Sequence, residues 1–171
     1  MKKRIIAAAV LAVALTGTAI PAYASADSSK VTLSGGGGTL TSNAWRTTGD
    51  GTVSGNTRKW EYQVSAVYSG SKKVTRIRTS WHGGAAIRNG ASFDIGVSTG
   101  GISYGQGSSW VQVNTPEKYW ENTNGAKSSD YRSNMIVTPG KDYRGGTISI
   151  VNTAVVKVSS DTRVYQISAG A

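Results

Sequence analysis

Polar and apolar side chains alternate with a period of two along residues 58–82. Trp60, Tyr62, Val64, Ile77, Thr79 and Trp81 fall on one side of the alternation, and Lys59, Glu61, Gln63, Arg76 and Arg78 on the other. Such a pattern predicts two strands, each with one buried face. Gly70-Ser71 between them suits the tip of a type II′ hairpin. That tip would set Val64 opposite Ile77, Tyr62 opposite Thr79 and Trp60 opposite Trp81. A slip of one residue would turn the apolar set to water, so the pattern specifies its own register.

The rest of the chain reads in the same way. Lys30–Leu33 is a short first strand preceded by a frayed segment, Ser25–Ser29, and followed by the glycine run Gly35–Gly38. Asn89-Gly90 predicts a type I′ turn between Ala85–Arg88 and Ala91–Val97, after a break at His82-Gly83-Gly84. Phe93, Ile95 and Val97 alternate, Thr99-Gly100-Gly101 turns, and Ile102–Tyr104 and Trp110–Val113 are further strand segments. Thr115-Pro116-Glu117 has the form of a helix start, with a threonine cap, proline at the first position and an acid at the positive end of the dipole. Gly125 would end that helix, near 116–122, after about two turns. Met135–Thr138 returns to strand, and 147–158 with 163–167 form a last hairpin around Ser160-Asp161, with Val156 and Val158 sharing a face with Tyr165. Short β-rich segments with frequent turn signals predict an all-β fold, a single antiparallel β-sandwich or flattened barrel built from hairpins, with at most that one short helix.

The N-terminus changes the picture of where this domain resides. Met1-Lys2-Lys3-Arg4, an apolar run from Ile5 to Ile20, and small residues around Ala22–Ala26 have the form of a secretory signal peptide. Cleavage after Ala24 or after Ala26 fits, so residues 1–26 are expected to be the leader and 27–171 one secreted β domain, with no transmembrane segment. The leader removes three cations and no acid from 19 basic and 9 acidic residues, and the net charge falls from +10 to near +7. Cysteine is absent, so packing alone holds the domain.

Charge then narrows the partners. A secreted cationic domain without a nucleic-acid motif is not expected to bind nucleic acid; anionic cell-wall polymers, glycans or lipid head groups are the fitting partners. The candidate contacts are Lys59, Arg76 and Arg78 on the polar strand face, with Trp45, Tyr119 and Trp120 as rings that could stack on sugars.

Catalytic motifs are weak by comparison. His82 is the single histidine, directly after Trp81, and the chain's many serines give no information about a nucleophile beside it. Ser69–Lys72 matches S-x-x-K on a turn rather than at a helix start, without its companion motifs. Glu117 and Glu121 would share a helix face, a pairing more typical of a solvated surface than of glycoside hydrolysis. The Asp50–Glu61 spacing imitates a calcium loop with hydroxyls at two ligand positions, and the glycine run lacks the following Lys-Ser/Thr helix of a phosphate loop. No metal, cofactor or catalytic residue is expected. The reading is a secreted, non-enzymatic binding module for an anionic envelope or extracellular polymer. A bacteriocin-like or membrane-active toxin is the alternative, and a small hydrolase using Glu117, Glu121 or His82 a third.

Overall fold

The computed structural model describes residues 24–96, 102–103 and 107–171. Its strands are β1 (Ala24–Thr32), β2 (Thr39–Thr47), β3 (Thr52–Ser54), β4 (Thr57–Ser69), β5 (Val74–Ile87) and β6 (Ser92–Asp94). They continue as β7 (Ile102–Ser103), β8 (Val111–Asn114), β9 (Lys118–Asn122), β10 (Ser128–Thr138), β11 (Ser149–Val158) and β12 (Val164–Gly170). A seven-stranded sheet runs β1-β2-β4-β10-β6-β7 with β3 also on β4, and a five-stranded sheet runs β12-β11-β5-β8 with β9 also on β5. All pairings are antiparallel, the two sheets pack face to face as a sandwich, one curls into a half-barrel, and no helix occurs among the described residues.

The segment 58–82 forms two strands with the expected buried sides, but not a hairpin. β4 lies between β2 and β10 in one sheet, and β5 is paired to β11, β8 and β9 in the other. Residues 70–73 therefore arch from sheet to sheet, and the predicted pairs Val64–Ile77, Tyr62–Thr79 and Trp60–Trp81 are not ladder partners. Alternation marks the buried face of a strand but does not tell pairing within a sheet from packing between sheets. Gly70 is not among the glycines with positive φ, as the first central position of a type II′ turn requires. It is small for another reason: a Cβ there would lie 2.6 Å from the Tyr68 ring and 2.9 Å from the Gly37 carbonyl.

Asn89-Gly90 repeats the lesson. Both residues have positive φ, 52° and 70°, and Ala91 N donates to Arg88 O at 3.0 Å, the expected turn. Yet β5 before it and β6 after it belong to different sheets. Gly83 and Gly84, read as a break, lie inside β5. A Cβ on Gly83 would meet the Phe93 ring at 3.0 Å, so glycine admits the facing sheet rather than ending the strand.

The predicted helix at 116–122 is replaced by β9. Thr115 does not cap: its N–H donates to Gly83 O at 2.9 Å and its Oγ1 accepts from Gly83 N at 3.0 Å, which ties the chain to β5 and feeds Lys118–Asn122 onto the same strand. Tyr119 and Trp120 suit a pleated edge. Ser25–Ser29, expected to fray, is paired to β2 throughout. Ala24–Ala26 of the expected leader are the first residues of β1, and the rest of that leader, like Val97, Thr99-Gly100-Gly101 and Tyr104, lies outside the described residues. The glycine run is the β1–β2 loop, with Leu33 N on Gly38 O. The last hairpin forms as expected, with Val156 opposite Tyr165.

The core has two apolar parts. One gathers Trp60, Tyr62, Trp81, Phe93, Met135 and Ile150; the other gathers Leu40, Ala66, Tyr68, Ile77 and Val156. Between them on their strands stand three fully buried polar residues, Ser42, Thr79 and Asn152. Asn152 on β11 accepts from Thr79 Oγ1 at 2.5 Å and donates to Ser42 Oγ at 2.9 Å, Ser65 O at 2.9 Å and Asn43 O at 3.2 Å. The two sheets are thus joined through a hydrogen-bonded belt across the middle of the core.

Candidate functional site

Because Ile77, Thr79 and Trp81 are buried, the alternate positions of β5 (Arg76, Arg78, Ser80 and His82) face outward on the five-stranded sheet. Side chains two apart on a strand repeat every ~6.8 Å, so these four make a straight row about 20 Å long. On one flank β9 sets Glu121 opposite Arg78 and Tyr119 opposite Ser80. On the other, β11 sets Lys157 opposite Arg76, Val155 opposite Arg78 and Thr153 opposite Ser80.

The row is braced but not neutralised. Arg76 Nε lies 3.7 Å from Glu121 Oε2. The Arg78 guanidinium sits 5.0 Å from the centre of the Tyr119 ring, a cation–π contact that holds the fork in place without using its donors. No described carboxylate forms an ion pair with Arg78 or Lys157. The Nε of Arg78 is buried and has no hydrogen-bond partner, and the same holds for Ser80 Oγ, on a residue only 2% exposed. Buried polar atoms normally find a partner, so this row carries donor capacity that the fold leaves unused.

Of the residues singled out from sequence, the structure brings three together here: Arg76, Arg78 and Tyr119. Lys59 and Trp45 lie on the outer face of the other sheet. Lys59 is paired between Thr52 and Ile136, and Trp45 lies beneath the Arg132 guanidinium at 6.0 Å, with Arg132 in turn 2.6 Å from Glu61. Trp120 follows Tyr119 on β9 and so points to the opposite side of that strand, 55% exposed. Trp45 and Tyr119 each have an arginine over the ring, and Tyr119 remains 62% exposed. Sequence reading missed Ser80, Glu121 as a brace for Arg76, and Lys157. The period-two extension of Arg76 and Arg78 to position 80 was the available signal for Ser80; the other two depend on pairings that only the folded sheet supplies.

The weak motifs resolve into structure. Asp50 Oδ1 accepts from the Tyr143 hydroxyl at 2.8 Å and its carbonyl from Arg58 at 2.8 Å. Ser69 ends β4 and Lys72 lies in the arch. Glu117 precedes β9, and Glu121 serves Arg76. Among the described residues no group of three or more His, Cys, Asp or Glu side chains stands ready for a metal ion. Comparison with protein-family models, with curated proteins and with solved structures finds no match.

Proposed function

We propose that this protein is a secreted, non-enzymatic binding module for a linear anionic polymer of the cell envelope or extracellular space, which lies along the outer face of the five-stranded sheet. The observation that carries this reading is Arg78: a cation fixed over Tyr119, without an ion-pair partner among the described residues, and with a buried Nε that has no acceptor. Arg76 and Lys157 add charge on the same face. A row of donors repeating every ~6.8 Å suits a chain with regularly spaced carboxylates or phosphates. The contact is cationic, so its affinity should fall steeply with salt.

Retention on purified cell walls and on heparin-agarose tests the reading. Wild type should bind at low salt and elute as salt rises. Arg78→Ala should weaken binding about tenfold, the loss of one or two charge-assisted hydrogen bonds, whereas Lys59→Ala on the opposite face should leave it within about twofold. Absence of retention at low salt, or equal losses from the two substitutions, would overturn it. Dye release from anionic vesicles would instead favour a membrane-active protein.

A further inference from the structure

At one end of the sandwich, the β1–β2 loop, the arch between β4 and β5, and the β11–β12 turn enclose a cleft of about 380 Å³. That size falls within the roughly 300–1,000 Å³ typical of small-ligand sites. Its apolar lining comes from Leu33 and Val158, and the remainder is polar or bare backbone: Ser34, Gly35 and Gly37 from the first loop, Lys72 from the arch, and Ser160 to Arg163 from the turn.

The cations of the cleft differ in how they are held. Arg163 Nε donates to Asp161 Oδ1, Nη2 to Asp161 Oδ2 and Nη1 to Ser34 Oγ, each at 3.0 Å. The Arg163 backbone N–H and the Tyr165 hydroxyl donate to the same carboxylate, at 3.0 and 2.6 Å. Both oxygens of Asp161 are thus doubly occupied, and the carboxylate acts as a clamp that fixes the guanidinium. A guanidinium has five N–H groups; three are used here, and two remain. Lys72 is half-buried and lines the same cleft, and no described carboxylate pairs with its ammonium. Gly35 has φ 65° with nothing within 4 Å of a Cβ position, so the loop wall is bare backbone on that side.

We infer that this cleft binds the phosphate monoester of a small polyol, with the phosphate between Lys72 and Arg163 and the polyol hydroxyls against Ser34, Ser160 and Thr162. A fixed guanidinium fork and a separate ammonium from another loop match an anion with three terminal oxygens better than a planar carboxylate. The volume left beside the phosphate, lined by hydroxyls and backbone, suits a hydrated carbon chain. The site stands on different loops from the β5 row and does not rest on the polymer-binding reading.

Calorimetric titration with glycerol 3-phosphate tests it, with glycerate and glycerol as comparison ligands. Glycerol 3-phosphate should bind with a dissociation constant below about 1 mM, glycerate more weakly, and glycerol not at all. Lys72→Met should weaken binding at least about tenfold through loss of a charge-assisted bond. Lys73→Met, next along the chain, and Arg78→Ala, on the sheet face, should each leave it within about twofold. No binding up to about 10 mM, glycerate binding as tightly as the phosphate, or an equal loss in Lys73→Met would overturn the inference. Loss of polymer retention in Arg78→Ala with the phosphate affinity intact would separate this site from the sheet face.

Discussion

The side-chain amide of Asn152 on β11 donates across the sandwich to the main-chain carbonyl of Ser65 on β4, at 2.9 Å. With Ser42 and Thr79 it forms the polar belt that separates the two apolar halves of the core. A belt of this kind selects one alignment of the sheets, because any slip strands several buried polar groups at once.

Replacing Asn152 by leucine, close in volume, removes the four bonds made by its side chain, keeps the Ser42 Oγ bond to the main-chain carbonyl of residue 152, and leaves the Thr79 hydroxyl and the Ser65 carbonyl without this partner. Each buried group so orphaned costs about 1–3 kcal/mol, and the variant should lose roughly 3 kcal/mol in urea unfolding. A loss below about 0.5 kcal/mol, the size of an ordinary surface substitution, would show that the belt is structurally idle.

A second buried chain joins the sheets nearer the other end of β4. Trp81 Nε1 donates to the Tyr62 hydroxyl at 2.9 Å, and that hydroxyl donates to Ile95 O at 2.8 Å. Burial, the leading cause, pushes the Tyr62 phenol well above its usual range. A raised phenol contributes stability that is complete below the free-tyrosine value of ~10 and is lost as pH rises beyond it, since the unfolded chain then releases a proton that the folded one keeps. Tyr62→Phe should cost about 1–3 kcal/mol at neutral pH, by leaving Trp81 Nε1 and Ile95 O unpaired. The gap between variant and wild type should narrow above pH ~10. Urea midpoints taken between pH 7 and 11 read both effects, and a constant gap across that span would contradict the assignment.

The burial parity of these strands was legible in the sequence; their partners were not. Trp60, Tyr62, Val64, Ile77, Thr79 and Trp81 are all buried, as alternation implies. Even so, Gly70–Lys73 and Asn89-Gly90 both carry the chain from one sheet to the other, where short turns between alternating segments imply hairpins. In-plane pairing and face-to-face packing bury the same side chains, so the periodicity is identical and only long-range competition for strand edges decides. At 115–122 local signals pointed to a helix, and the two Thr115–Gly83 bonds together with the open edge of β5 outweighed them. The candidate site divided along the same line. Arg76 and Arg78 were visible as a pair two residues apart, but their company depends on β9 and β11, which lie about 40 and 75 residues further on. Lys59, close to them in a hairpin, is on the opposite face in a sandwich.

Asp161 offers a test at the acidic end. Its carboxyl is held far below the usual carboxylate range, first by the Arg163 side-chain bonds, then by the Tyr165 hydroxyl and the Arg163 backbone N–H. A depressed carboxylate contributes stability that is present in full above its unfolded value of ~3.9 and drains away as pH falls below that toward the folded value. Asp161→Asn keeps the shape but gives up the charge. At neutral pH it should unfold at lower urea than wild type, and the difference should shrink as pH drops below about 4. High salt should narrow the neutral-pH difference as well, because the pair lies near the surface and is screened. A variant with wild-type stability from pH 7 down to about 3 would mean that the clamp contributes nothing to folding.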